Sequence, residues 1–185
     1  MNIAIFGGSF DPPHIAHEKI VHKVLKKVND IDRLIIVPTY LNPFKEESHL
    51  TPKQRYKLVK KLFKEEKNIS VSSFEINQNE AVPSIKTVKH FKKLYKTKKI
   101  YLIIGSDNLE SLHLWHKFEK LKSLVEFIVI SREGYEVKND IIQFINIKMK
   151  IDISSTSLKE NLRLEYIPKK IKHKVNKIWK KELKK

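Results

Sequence analysis

Short apolar runs alternate with longer amphipathic stretches along most of the chain. The apolar runs predict strands at residues 2–6, 34–37, 69–76, 100–104, 126–130 and 144–147. The stretches between them carry apolar residues at helical spacing and predict helices at 18–28, 51–62 and 84–95, and a C-terminal helix with Ile167, Ile171, Val175 and Ile178. Because nearly continuous apolar strands are typical of sheets covered on both faces, the pattern predicts an α/β fold, a Rossmann-like doubly wound parallel sheet in a single domain over residues 1–185.

Glycines follow two of the predicted strands and indicate where a ligand binds. The chain has only four glycines, and Gly7, Gly8 and Gly105 all come directly after a strand. In a doubly wound sheet the ligand lies outside the carboxyl ends of the strands, where the strand order reverses. We therefore expect these three glycines to face each other across a binding crevice.

The first strand leads into a turn that suits phosphate, at residues 7–17. Asp11 is predicted to cap a helix, Pro12 and Pro13 fit its first turn, and His14 and His17 lie on one helix face. Free amides and the helix dipole favour an anion there, and imidazoles with an ordinary pKa of about 6.5 protonate readily beside polyphosphate. An ordinary turn with two polar histidines is the structural alternative. A metal site is weaker, because no cysteine or third ligand is near.

Residues 8–17 resemble the (T/S)-F-D-P-x-H-x-G-H signature of the nucleotidylyltransferase superfamily, whose adenylyltransferase members transfer an adenylyl group from ATP. The one departure inside this motif is Ala16, where the family usually has glycine. Alanine is the smallest substitute and a better helix former, so we expect little loss.

Two later segments resemble motifs of the nicotinate-nucleotide adenylyltransferases. Residues 104–107, followed by Trp115, are similar to the G-x-D…W segment. On local grounds Asp107 is equally well a helix N-cap, and Trp115 is a core residue. Residues 153–159 are similar to I-S-S-T-x-I-R, with Lys159 where arginine is usual, which predicts a monodentate phosphate contact. Ser157 with Glu160 also matches a capping box.

The resemblance implies a site and a reaction. ATP and nicotinate mononucleotide would give nicotinic acid adenine dinucleotide and pyrophosphate, with Mg2+ held mainly by the ATP phosphates and not directly by protein ligands. The implied catalytic residues are His14, His17 and Lys159. The implied ATP-binding residues are Gly7, Gly8, Ser9, Phe10, His14, His17, Gly105, Asp107, Ile153, Ser154, Ser155 and Thr156.

For the second substrate the resemblance implies four positions. These are Lys45 near a phosphate, Ser84 and Thr87 near the nicotinate carboxylate, and Trp115 stacking on the pyridine ring. Pro83 stands where the family often has tyrosine, which makes the contacts around Ser84 the least secure.

Composition and charge limit the cellular location and the rival functions that fit this sequence. The chain has 185 residues, no cysteine and a formal net charge of +17, and we expect a cytoplasmic protein without a membrane partner. The charge raises nucleic-acid binding as a rival function, but the lysines are spread over nearly every predicted helix and favour solvated faces over a dedicated groove. Within enzymes the nearest rival is pantetheine-phosphate adenylyltransferase. The preference for nicotinate over nicotinamide and the oligomeric state stay open, and a homo-oligomer is compatible with the sequence.

Overall fold

The computed structural model describes residues 1–41, 48–132, 140–150, 158 and 162–182. In this part of the chain six parallel strands form one sheet, in the order β3-β2-β1-β4-β5-β6. The strands are β1 Asn2–Gly8, β2 Arg33–Pro38, β3 Ile69–Val71, β4 Lys99–Gly105, β5 Glu126–Arg132 and β6 Phe144–Met149. The strand order reverses between β1 and β4, which confirms the predicted doubly wound sheet.

Helices cover both faces of this sheet. They are α1 Ile15–Lys27, α2 Pro52–Leu62, α3 Ser84–Tyr95, α4 Phe118–Lys122 and α5 Lys169–Glu182. Alternate residues of β1 point to opposite faces: Ala4 and Phe6 pack in the core formed with α1, α2 and α5, whereas Ile3 and Ile5 pack in the core formed with α3 and α4. Four consecutive buried residues in β1 therefore follow from its position between two helical layers.

The predicted strand at 69–76 is the main error in the secondary structure. The strand β3 ends at Val71, and a 3-10 helix follows at Ile76–Gln78. The backbone turns because the amide of Phe74 donates to the Ser72 hydroxyl at 3.1 Å, a local bond that competes with strand pairing. Apolar residues resume after the turn, where Phe74 packs against the ring of Phe91 in α3.

No helix among the described residues is long and apolar enough to cross a membrane. The predicted helix at 84–95 matches α3, and Thr51 caps α2, accepting from the amide of Gln54 at 3.3 Å. The sequence also predicts a turn at Gly134, which lies outside the described residues.

Candidate active site

A cavity of about 410 Å³ opens at the carboxyl ends of β1 and β4. Gly7, Gly8 and Gly105 all line it, as predicted from their positions after the strands. The cavity therefore lies where the strand order reverses, which is the place that open α/β sheets offer to ligands.

Its walls are largely apolar, with a few polar groups. The apolar part comes from the ends of β4 and from α4, with Leu102, Ile104 and Leu121, and Trp115 adds a flat aromatic surface. The polar side chains are those of Thr39, Glu75, Ser84, Asn108 and His116. Apolar walls with a small number of polar groups suit a planar ring whose substituents are recognised individually.

The two histidines lie at the start of α1 and do not line this cavity. The lining residue Phe6 connects them to it, since its ring centroid lies 6.1 Å from that of His17. His14 is the N-cap residue of α1 and His17 is the third helical residue. Their ring centroids are 3.7 Å apart, and the amide of His14 donates to Nδ1 of His17 at 3.2 Å. The prediction that both rings share one face is confirmed. Because Nδ1 of His17 accepts, the ring proton lies on Nε2, from which the imidazole can donate to a phosphate oxygen.

Burial affects the protonation of His14. His14 is 4% exposed, and burial lowers its pKa from 6.5 to about 4. The desolvated ring is therefore neutral at physiological pH.

The predicted capping role of Asp11 is also wrong. Helix α1 begins at Ile15, so Pro12 and Pro13 precede the helix and do not form its first turn. The buried carboxylate of Asp11 instead accepts from the amides of His49 and Leu50, both at 2.8 Å. Asp11 thus connects the first turn to the segment that enters α2.

A buried arginine in α2 completes this connection. Arg55 is fully buried, and its guanidinium donates to the carbonyls of Ser9 at 2.6 Å, Tyr40 at 2.8 Å and Leu50 at 3.2 Å. Burial lowers the pKa of Arg55, and Coulombic attraction to Asp11 opposes that shift. The cation therefore connects the segment between β1 and α1 with the segment between β2 and α2.

Phe10 supports His17 from within the protein. Phe10 has a positive φ of 51° and is buried, and its ring centroid lies 4.7 Å from that of His17 and 5.4 Å from that of Phe6. A Cβ added to Gly8 would lie 3.2 Å from the Phe10 ring, which is closer than most real contacts. Glycine at position 8 therefore allows the aromatic ring to lie against the backbone of the turn.

The segment after β4 partly departs from expectation. Gly105 is the N-cap residue of a 3-10 helix at Ser106–Asn108, so Asp107 lies inside that turn and is not its cap. Asp107 is exposed, accepts from Nδ2 of Asn108 at 3.2 Å, and lies where a Cβ on Gly105 would collide with its Oδ1. Asn108, not Asp107, lines the cavity.

The start of α3 forms another part of the wall. Ser84, the first residue of α3, lines the cavity, and so does Pro83. Thr87 is buried behind it and donates to Oε1 of Glu75 at 2.6 Å. Thr87 therefore contacts Glu75, which lines the cavity. Burial raises the pKa of Glu75 from 4.5 to about 7, against the effect of the Thr87 hydrogen bond.

Several predicted site residues lie outside the described residues. They are Lys45, Ile153, Ser154, Ser155, Thr156, Ser157 and Lys159. Among the residues that the structure does describe, no group of three His, Asp or Glu side chains could hold a metal ion. Trp115 is both a core residue and a cavity residue, since it packs against the core under α3 and α4 and also lines the cavity.

Sequence reasoning missed Arg55 and Glu75, although each left a signal. Arg55 occupies the inward stripe of α2 with Leu58, Val59 and Leu62, at spacings of three, four and seven residues. A charge on an apolar stripe indicates a buried polar connection. Glu75 lies between Phe74 and Ile76, where an acidic group is unusual in a buried segment.

A family model places the fold and site in a known class. The model of the cytidylyltransferase-like family matches residues 5–161, so this is a nucleotidyltransferase-type α/β protein. A "Probable nicotinate-nucleotide adenylyltransferase" of Aliarcobacter butzleri is 49% identical over 93% of both chains. A protein of the same name from Sulfurimonas denitrificans is 47% identical over 97% of this chain and 96% of its own. The chain belongs to the cytidylyltransferase-like family and, within it, to the nicotinate-nucleotide adenylyltransferases.

Solved structures share the fold. The nicotinic acid mononucleotide adenylyltransferase of Plasmodium falciparum, complexed with NaAD, is similar with a TM-score of 0.77 over 95% of each chain at 24% identity. The same enzyme complexed with APC gives a TM-score of 0.72 at 23% identity.

Replacing Arg55 with leucine should strongly destabilise the protein. Removing one member of a buried charged cluster leaves Asp11 without its counter-charge and three carbonyls without donors, and typically costs about 3–5 kcal/mol. Urea unfolding measures this loss, with Lys57→Leu on the exposed side of α2 as the control. A loss for Arg55→Leu no larger than for Lys57→Leu would contradict the structural role.

Replacing Glu75 with glutamine should change the pH dependence of stability. Because the folded-state pKa of Glu75 is raised, its contribution is complete below about pH 4.5 and is lost as pH rises through about 7. Glutamine does not ionise and still accepts from Thr87. We expect Glu75→Gln to match the parent protein in acid and to exceed it by roughly 1–3 kcal/mol at pH 8.

Denaturant unfolding at both pH values measures the difference. The control is Glu80→Gln, since Glu80 is exposed and pairs with the exposed Lys86 at 3.3 Å. A stability difference between Glu75→Gln and the parent that does not vary with pH would show that Glu75 titrates normally.

Proposed function

We propose that this protein transfers the adenylyl group of ATP to nicotinate mononucleotide, forming nicotinic acid adenine dinucleotide and pyrophosphate in NAD biosynthesis. The observation that carries the proposal is the cavity at the ends of β1 and β4, whose lining residue Phe6 has its ring centroid 6.1 Å from that of His17, the histidine that pairs with His14. One side offers an apolar slot with Trp115 for a ring, and the other offers a helix start with imidazole donors for phosphates. Relatives with 45–49% identity carry the corresponding name.

The chemistry needs alignment more than proton transfer. An oxygen of the mononucleotide phosphate attacks the α-phosphorus of ATP, a new P–O bond forms, and the bond to the β-phosphate oxygen breaks to release pyrophosphate. The nucleophile is already anionic, so no general base is required. Positioning two reactants in line can supply about 7–11 kcal/mol of the barrier reduction.

The histidines would hold the reacting phosphates. His17 would donate from Nε2 to the charge that develops on the transferred group, and the neutral His14 would gain a proton or donate as the polyphosphate arrives. The backbone of Gly7, Gly8, Ser9 and Phe10 would lie against the nucleotide. Gly105 and Asp107 would contact ATP from the end of β4, although Asp107 needs to turn from Asn108 to do so.

The remaining predicted contacts complete the proposal. Ile153, Ser154, Ser155 and Thr156 would bind the triphosphate, Lys159 would pair with the departing pyrophosphate, and Lys45 would bind the acceptor phosphate. Trp115 and Ser84 would contact the nicotinate ring, and Thr87 would act through Glu75. We place this reaction in the cytoplasm and in one domain.

Magnesium would enter with ATP. The described residues have no three-donor cluster for the ion, which fits coordination by phosphate oxygens and water. Bound there, Mg2+ neutralises part of the triphosphate charge.

A substrate panel tests the proposal. Pyrophosphate release is measured with ATP and Mg2+ and with nicotinate mononucleotide, nicotinamide mononucleotide or phosphopantetheine offered separately. We expect release with nicotinate mononucleotide above the other two. Rapid turnover of phosphopantetheine alone would assign the rival adenylyltransferase activity, and salt-dependent nucleic-acid binding without ATP turnover would favour the non-enzymatic rival.

Replacing His17 with alanine should lower turnover by roughly two to four orders of magnitude. The stability cost should be modest but measurable, about 0.5–2 kcal/mol, because the Nδ1 acceptor at the start of α1 is also lost. Steady-state kinetics and thermal unfolding measure both effects. His22→Ala is the matched control, since His22 is exposed on the same helix. Unaltered turnover in a folded His17→Ala variant would show that this histidine is not catalytic.

A further inference from the structure

The cavity holds one buried acidic side chain. Glu75 is 5% exposed and lines the same cavity as Ser84 and Trp115. Among the described lining residues the only other ionisable side chain is that of His116, which is exposed, and there is no lysine or arginine. A ligand group that carries charge would therefore meet Glu75 as the main charged neighbour in this part of the site.

Few hydrogen-bond donors are placed to stabilise a negative charge on Glu75. The Thr87 hydroxyl donates to Oε1 at 2.6 Å, and no other hydrogen bond to this carboxyl is made within the described ranges. Hydrogen bonds from several donors favour the ionised form of a carboxyl group, whereas burial without them favours the neutral form. The pKa raised to about 7 agrees with this geometry.

We propose that Glu75 is a specificity-determining residue for the acceptor: as a neutral acid it donates a hydrogen bond to the carboxylate on the nicotinate ring. The inference rests on the proposed function, which places the pyridine ring beside Trp115 and the start of α3. The positive end of α3, at Ser84, adds attraction for an anionic substituent.

The two pyridine mononucleotides would use Glu75 in opposite protonation states. A nicotinate carboxylate accepts a charge-assisted hydrogen bond from neutral Glu75, but is repelled by ionised Glu75. A nicotinamide carboxamide can donate its N–H to the ionised form. Above about pH 7, binding nicotinate mononucleotide would therefore take up one proton from solvent onto Glu75, and binding nicotinamide mononucleotide would not.

Other titratable groups near this wall need to be separated from Glu75. His116 lines the cavity, His90 of α3 stacks on Phe74 with a pKa lowered by burial, and Asp107 lies beside Gly105. Glu80 and Lys86 pair with each other on the exposed side. His116 is the important competitor, because it is the other ionisable side chain among the described lining residues.

The test is the ratio of kcat/KM for nicotinate mononucleotide to kcat/KM for nicotinamide mononucleotide, measured across the pH range. The ratio cancels effects common to both acceptors, including ionisation of their phosphate, protonation of His14 and ATP binding. The parent protein is compared with Glu75→Gln, which keeps the Thr87 hydrogen bond. Glu80→Gln and His116→Asn are the matched controls.

We expect the ratio for the parent to fall about tenfold or more between about pH 6 and pH 9, and to vary less than about twofold for Glu75→Gln. Glu80→Gln and His116→Asn should retain the fall. Calorimetric titration at pH 8 in two buffers of different ionisation enthalpy should show proton uptake with nicotinate mononucleotide that Glu75→Gln abolishes.

Three results would overturn the inference: a flat ratio in the parent, an unchanged fall in Glu75→Gln, or loss of the fall in His116→Asn. The first two leave adenylyl transfer itself intact. Turnover of neither pyridine mononucleotide by the parent would instead remove the proposed function, and the role of Glu75 with it.

Discussion

The candidate site depends on one buried cation. Arg55 donates from its three side-chain nitrogens to the carbonyl of Ser9, between β1 and α1, and to those of Tyr40 and Leu50, both between β2 and α2. Asp11 provides the matching negative charge and accepts from the amides of His49 and Leu50. Beyond the last contact between the strands, in which the amide of Thr39 donates to the carbonyl of Gly8 at 2.9 Å, this polar cluster connects the two segments. The turn that carries His14 and His17 begins within the same cluster.

The charged pair that holds the site together is distinct from the groups that we propose to contact the substrates. The charges of Asp11 and Arg55 satisfy each other and the backbone, whereas His14 beside them is held neutral by burial. Glu75 on the far side of the turn has a pKa near 7 for the same physical reason. Burial therefore favours the neutral form of both groups before the substrates bind, and the substrates' own charges can change their protonation.

Local pattern predicted most of the fold. Apolar runs located six strands, and the position of the glycines located the crevice between β1 and β4. The error at residues 69–76 arose because apolar residues on both sides of a turn suggested one strand, whereas a serine hydroxyl accepts a local hydrogen bond there and the backbone turns. The sequence also predicted Asp11 as a helix cap, since a carboxylate directly before two prolines is typical of a helix start. Its actual partners are 38 and 39 residues away in sequence, so local rules could not find them.

The sequence predicted those features of the site that follow from the spacing of motif residues. It missed those that depend on which side chains are buried. The shared face of His14 and His17 followed from their spacing, but the neutral state of His14 follows from packing that spacing does not show. Likewise Thr87 was expected to contact substrate, and the structure places Glu75 between Thr87 and the cavity.

A crystal structure of the protein with nicotinic acid adenine dinucleotide tests the central claim most directly. The account predicts the two phosphates within hydrogen-bond distance of His17 at the start of α1, and the nicotinate ring against Trp115 in the cavity between β1 and β4. A dinucleotide bound with its phosphates away from this turn, or with its nicotinate ring outside the cavity, would contradict the assignment of the site.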